Sequence, residues 1–285
     1  MKKKSLNTRN IRKHKLSRGK KPLSMLTCYD FQTAQMLDET ELDLILVGDS
    51  LGNVILGYEN TVSVSIEEMS IFGSAVVRGA KNKFVIVDMP FGSYASLDMG
   101  LKNAIKLFQE TKACALKLEG ATDSSLKLIE RLTETGIPVM GHIGLIPQSV
   151  HQMGGYFTHG KNEAAKEKLL NDAKNLQEAG CFSVVLECVE KNLSETITDS
   201  LAIPTIGIGS GNKTDGQVLV INDLLHLGKD APPSFCAPMA NMFNIKKGLV
   251  DYYLQSLSDK PVSSSTKTLT SQEEKTHEIS QDQVQ

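Results

Sequence analysis

The sequence predicts an α/β chain closed into a (β/α)8 barrel with an N-terminal helix, and three observations carry that prediction. Short apolar runs recur at fairly regular intervals. Helix-patterned segments separate them. Five of the runs end in polar residues suited to catalysis: Val47-Gly48-Asp49-Ser50, Val87-Asp88, Leu116-Lys117-Leu118-Glu119, Gly141-His142 and Leu186-Glu187. Strands alternating with helices pair in parallel, because parallel neighbours need a crossover. A parallel barrel buries its strands and presents their carboxyl ends at one rim, where side chains from different strands converge. The 285 residues suit one barrel of ordinary size, able to bury most of its apolar surface.

From the amino end, residues 1–21 are basic and contain no acid. Their charge is that of an organelle-targeting segment, but the apolar stretch of a secretory signal is missing. With Thr8 as N-cap and Ile11 and Leu16 as apolar positions, the segment reads as a short amphipathic helix closing the bottom of the barrel. Strands are expected at Leu23–Cys28, Leu42–Val47, Phe84–Val87, Cys114–Leu118, Pro138–Gly141, Phe182–Leu186 and Thr205–Ile208, with a weak eighth near Ser234–Ala237. Ser65-Ile66-Glu67-Glu68 is a capping box opening a helix toward Gly79. Another helix is expected from Ser96. Thr122 and Asp123 can cap one that stops at Gly136, and Asn162 one that stops at Gly180. Residues 1–257 are thus read as one barrel domain, and the polar stretch 258–285, nearly devoid of apolar residues, as a disordered tail.

Lys+Arg 31 against Asp+Glu 33 leaves a net charge of -2, so no global field favours nucleic acid or an acidic membrane. No run approaches the roughly 20 apolar residues a bilayer span requires. The 5 cysteines are odd in number and form no CxxC pair, which suits the reducing cytoplasm. Small molecules or proteins are the expected partners.

Strand periodicity sharpens the site. Alternate side chains share a face, so Lys117 and Glu119, Ile86 and Asp88, Val47 and Asp49, and Val185 and Glu187 are expected to point alike. If those faces open into the barrel mouth, Asp49, Asp88 and Glu119 can offer oxygens to one ion. So many carboxylates repel unless a cation neutralises them, and the ligand chemistry favours Mg2+. Taken singly, each acid could equally be a helix cap or ion-pair partner. His142 reads either as a proton carrier or as a hydrogen-bonded wall residue. Gly207-Ile208-Gly209-Ser210-Gly211 could cradle a phosphate, but more simply lets backbone approach a ligand closely. Gly154-Gly155-Tyr156 reads as a loop hinge.

Leu26-Thr27-Cys28-Tyr29-Asp30, Val47-Gly48-Asp49-Ser50-Leu51-Gly52, Asp88-Met89-Pro90-Phe91, Lys117-Leu118-Glu119-Gly120, Gly141-His142-Ile143-Gly144-Leu145-Ile146-Pro147-Gln148-Ser149, Leu186-Glu187-Cys188-Val189 and Ile206-Gly207-Ile208-Gly209-Ser210-Gly211 together resemble, in order, the signature segments of the ketopantoate hydroxymethyltransferases. The resemblance implies a TIM barrel in a large homo-oligomer, a decamer. It implies transfer of a hydroxymethyl group from 5,10-methylenetetrahydrofolate to 3-methyl-2-oxobutanoate, giving 2-dehydropantoate for pantothenate synthesis through a Mg2+-stabilised enolate. Carried over, it makes Asp49 and Asp88 metal-binding, with Glu119 completing the set directly or through water. Asp49, Ser50, Asp88 and Lys117 would hold the substrate, and Glu187 would be the base, its carboxyl raised by burial near other acids. Two other readings stand beside this one: another Mg2+-dependent 2-oxo acid enzyme of the phosphoenolpyruvate mutase and isocitrate lyase group, and a non-catalytic ligand-binding barrel.

Overall fold

A computed structural model of the chain describes residues 6–15, 21–149 and 158–259. The expected hinge at Gly154-Gly155-Tyr156 lies outside them, as does the expected tail 258–285 except for Ser258 and Asp259, which end a helix. The chain divides into two units, residues 1–241 and residues 242–285. Described residues of the second form one helix, α10 (Met242–Asp259).

The first unit is a closed parallel barrel in the order β1-β2-β3-β4-β5-β6-β7-β8. Its elements are α1 (Thr8–Lys15), β1 (Leu23–Thr27), α2 (Phe31–Asp38), β2 (Leu44–Val47), α3 (Leu51–Val54), α4 (Ile66–Gly79), β3 (Phe84–Asp88), α5 (Leu97–Thr111), β4 (Ala115–Glu119), α6 (Asp123–Glu134), β5 (Val139–Gly144), α7 (Glu163–Glu178), β6 (Ser183–Glu187), α8 (Lys191–Ser200), β7 (Thr205–Ile208), β8 (Gly216–Leu219) and α9 (Ile221–Leu224). The helix starts follow the sequence: Ser65 and Glu68 complete a capping box, and Ser96, Thr122 and Asn162 each accept from a backbone N–H of the first turn. Among the described residues no helix is long and apolar enough to cross a membrane.

Two apolar clusters show how the strands face. One gathers Leu23, Met25, Leu46, Ile86, Met140 and Val185 with other strand residues and Ile11, and fills the barrel. The other sets Val47, Val87, Leu116, Leu118 and Leu186 against the surrounding helices. Ile11 is completely buried in the first cluster, so α1 does plug the barrel floor. Burying that side chain contributes about 1.5–3 kcal/mol. Asn7, not Thr8, caps the helix: its Oδ1 accepts from Asn10 N at 2.9 Å, one residue earlier than expected. Lys15 ties the far end of α1 to Asp215 at 2.9 Å.

The eighth strand corrects the sequence reading. It is Gly216–Leu219, which pairs with β7 and with β1 through Leu23↔Gly216 and Met25↔Val218, whereas Ser234 and Phe235 form a turn. Residues 209–215 join β7 to β8 with no helix, a shorter link than the usual crossover of about a dozen residues. Counting at the helix-sized interval therefore overshoots. Asp215 secures the short link by accepting from Thr205 N at 2.9 Å.

Candidate active site

Strand register assembles most of the site. Asp88 pairs with Lys117 across β3 and β4, Glu119 with His142 across β4 and β5, and Gly144 with Glu187 across β5 and β6. Ile86, Ala115 and Val185 belong to the barrel-filling cluster, so Asp88, Lys117, Glu119 and Glu187, each an even number of residues further along, point into the mouth. His142 also points inward, but from within β5, which runs on to Gly144 rather than ending at Gly141.

Asp49 reaches the same place by another route. Val47 faces the helices, so alternation alone would carry Asp49 outward, contrary to the expected pairing of those two residues. The strand ends at Val47, and a turn with Leu51 N donating to Gly48 O at 3.1 Å redirects the chain into α3. That turn brings Asp49 N within 3.2 Å of Asp88 Oδ2. Ser50 precedes α3 without capping it; its hydroxyl instead meets the buried Tyr29 hydroxyl at 2.8 Å.

Lys117 is the hub of the buried charges. Its Nζ lies 2.9 Å from Asp88 Oδ2 and 3.5 Å from Glu119 Oε1. Burial disfavours the ammonium, but the charges of Asp88, Glu119 and Asp49 together outweigh it and push its pKa up. Glu119 Oε1 also sits 3.1 Å from His142 Nδ1, and Glu119 Oε2 accepts from Gln148 N at 3.4 Å. Burial opposes ionisation of Glu119, yet Lys117 and then His142 prevail and hold the carboxyl at about 2. For His142, burial acts against the charged ring but Glu119 overcomes it, raising the pKa to about 9. The ring is therefore an imidazolium at neutral pH, and of the two earlier readings its surroundings fit a charged, hydrogen-bonded wall residue.

Asp49 and Asp88 differ from Glu119. Burial, followed by the charges of Glu119 and Asp88, drives the Asp49 carboxyl well above the usual range. Asp88 is also raised by burial, with Lys117 working against it. Asp88 Oδ1 is buried and has no hydrogen-bond partner. Asp49 Oδ2 accepts from Gln148 Nε2 at 2.8 Å, and the same nitrogen donates to Met89 O at 3.0 Å. Tyr94 hydroxyl in turn donates to Gln148 Oε1 at 2.8 Å. These two aspartates hold unspent oxygen capacity in a site rich in negative charge, which fits a hard divalent cation. Among the described residues no group of three or more His, Cys, Asp or Glu side chains is arranged as a metal cluster. Asp49 and Asp88 are in contact and Glu119 shares their mouth, but it is engaged by Lys117 and His142 rather than completing one three-carboxylate cluster.

Glu187 stands apart as the partly exposed acid, its side chain 17% accessible. Its Oε2 is 3.3 Å from His142 Nε2, ion-pair range without hydrogen-bond alignment. Gly144 makes that placement possible. At φ +100 it adopts a conformation suited to glycine, and a Cβ there would lie 2.2 Å from Glu187 O. Leu145 N donates to that same carbonyl at 2.8 Å. A cavity of about 600 Å³ opens onto Asp49, Ser50 and Glu187.

Gln148, Tyr94 and Tyr29 are the residues that sequence reasoning did not assign. Gln148 lay inside a quoted motif, just after a strand, which was the one local signal for it.

The model of the ketopantoate hydroxymethyltransferase family matches residues 5–261. A 3-methyl-2-oxobutanoate hydroxymethyltransferase of Syntrophus aciditrophicus is 47% identical over 238 residues, covering 83% of this chain and 87% of its own. The enzyme of that name from Thermotoga maritima is 46% identical over 264 residues, covering 88% and 97%. Among solved structures, a phosphonopyruvate hydrolase in complex with oxalate and Mg2+ superposes with a TM-score of 0.59 at 9% identity, over 89% of this chain and 87% of that one. At that identity the likeness is one of fold alone.

Proposed function

The chain belongs to the ketopantoate hydroxymethyltransferase family of transferase enzymes, and from that premise we propose that it transfers a hydroxymethyl group from 5,10-methylenetetrahydrofolate to 3-methyl-2-oxobutanoate, giving 2-dehydropantoate for pantothenate synthesis. The observation that carries the reading is the contrast within one mouth. Asp88, Lys117, Glu119 and His142 are nearly sealed and mutually paired, while Glu187 beside them presents a partly exposed carboxylate to the cavity.

Asp49 and Asp88 would hold Mg2+, which keeps few carboxylates and leaves positions for other oxygens. Asp88 Oδ1, buried without a hydrogen-bond partner, has free lone pairs for it, and the phosphonopyruvate hydrolase of the same fold was solved with Mg2+. An ion held there would supply Lewis acidity toward a bound 2-oxo acid. Glu119 balances Lys117 and His142 and completes the acidic set through water. Lys117 and the Ser50 hydroxyl orient the oxo acid, and Tyr29 holds the serine in place. Glu187 takes the proton from C3. His142, 3.3 Å away, keeps the Glu187 carboxylate turned inward. The carbanionic C3 bonds to the donor's methylene carbon as one of its two carbon–nitrogen bonds breaks; one water then supplies the hydroxyl as the second breaks, and the C3 proton and a water proton end on the two folate nitrogens.

The test is product formation from 3-methyl-2-oxobutanoate and 5,10-methylenetetrahydrofolate, with and without chelator. Turnover lost on chelation and restored by Mg2+ supports the reading. Folate-independent carbon–carbon cleavage or phosphonate chemistry would instead favour the mutase and lyase group. Binding of the oxo acid without turnover would favour a binding protein.

A further inference from the structure

The cavity at the barrel mouth extends well beyond the catalytic carboxylates. Its volume, about 600 Å³, lies in the range that accommodates drug-sized ligands, more than a small branched oxo acid requires. Besides Asp49 and Glu187 its lining mixes apolar residues, among them Val220, Pro233 and Phe235, with polar ones such as Asn53 and Ser234, and holds one further carboxylate, Asp223.

Two features of that wall, Phe235 and Asp223, face the cavity. Phe235 is 42% exposed although it lines a cavity. It lies against Gly209, where φ is +62 and an added Cβ would sit 3.0 Å from the ring and 3.2 Å from Cys188 Sγ. The absence of a side chain at Gly209 thus lets an aromatic ring lie against backbone and leaves the rest of the ring open. Asp223, on α9, is half-buried. Burial alone raises its carboxyl, and among the described residues no Lys or Arg pairs with it. A half-buried acid without a cation is costly unless a ligand satisfies it.

Resting on the transferase reading above, we propose that Phe235 and Asp223 form the seat of the donor's fused heterocycle, a 2-amino-4-oxopteridine ring. The ring lies on Phe235, and its adjacent N3–H and 2-amino groups donate together to the Asp223 carboxylate. Two neighbouring N–H donors match two carboxylate oxygens as a guanidinium does. The apolar residues exclude water around the pair, and the shared cavity puts the donor's methylene on the side of Asp49 and Glu187.

The experiment compares binding of 5-formyltetrahydrofolate, a stable reduced folate, with that of its 2-desamino analogue to the full chain by calorimetry, alongside the one-carbon transfer assay. The wild-type protein should bind the analogue at least about tenfold more weakly, the loss of a hydrogen bond to a charged group. Asp223→Asn, with its fold checked by circular dichroism, should bind both ligands weakly and discriminate less than threefold, while Phe235→Ala should weaken both by a similar factor. A wild-type protein that transfers the one-carbon unit yet does not discriminate would overturn the assignment and leave the transferase reading intact. So would an Asp223→Asn variant that discriminates as well as wild type. A protein that neither binds reduced folate nor transfers would remove both.

Discussion

Replacing Lys117 by methionine removes the cation from the centre of the buried site while keeping most of its volume. Coulomb's law at an effective dielectric constant of about 20 gives attractions of about 6 kcal/mol to Asp88 at 2.9 Å and about 5 kcal/mol to Glu119 at 3.5 Å. Freeing the protein from desolvating an ammonium returns several kcal/mol, so the net loss is about 3–5 kcal/mol, the usual cost of stripping one partner from a buried pair. A chain of this size shifts by about 2–4 °C per kcal/mol, which lowers the unfolding midpoint by about 6–20 °C. The deficit should also depend on pH. Lys117 lowers the pKa of all three acids, so without it the folded variant binds more protons than folded wild type, while the unfolded chains bind alike. Stability of the variant relative to wild type therefore recovers as pH falls. Reversible urea unfolding between pH 5 and 8 measures both effects. A variant as stable as wild type, or a deficit that grows toward acid, would refute the account of Lys117 as the hub.

The remaining predictions concern its neighbours. His142 has a folded pKa raised from 6.5 to about 9, so its contribution is fully present below 6.5 and is lost as pH rises toward 9. At about 1.4 kcal/mol per pH unit that loss is of the order of 3 kcal/mol, and His142→Gln should flatten the slope of stability in this window; an unchanged slope would mean the ring is neutral in the fold. Gln148→Ala removes the Nε2 donor to Asp49 and should lower kcat/KM by about ten- to a hundredfold, from a hydrogen bond to a charged group worth about 1.5–3 kcal/mol, together with weaker Mg2+ activation. Loss of activity with unchanged Mg2+ dependence would separate Gln148 from Asp49. Ile11→Ala should cost about 2–5 kcal/mol in urea unfolding, because the cavity it leaves lies at the sealed barrel floor; a cost under about 1 kcal/mol would mean α1 is only loosely docked.

Much of the barrel was legible because buried parallel strands are short, apolar and evenly spaced. Helix starts were legible too, since Ser65, Ser96, Thr122 and Asn162 signal locally which N–H groups they will satisfy. Alternation correctly placed Asp88, Lys117, Glu119 and Glu187, all within continuous strands. It gave the right location for Asp49 for the wrong reason, because a tight turn rather than strand pleat aims that side chain. β8 was missed because Gly216-Gln217-Val218-Leu219 carries only a short apolar pattern and follows a link without a helix. Gln148 was unreadable as a functional residue because its partner Asp49 lies 99 positions away, and only the folded barrel brings them together.

Exchange of the C3 proton of 3-methyl-2-oxobutanoate with deuterated solvent, followed by NMR in the presence of Mg2+, tests most directly whether Glu187 is the base. The Glu187→Gln variant keeps shape and hydrogen bonding but cannot take up the proton, so exchange should fall by at least about a hundredfold, the contribution of general base catalysis, while Mg2+ still binds. Exchange persisting at the wild-type rate in a folded, Mg2+-binding Glu187→Gln protein would contradict the account.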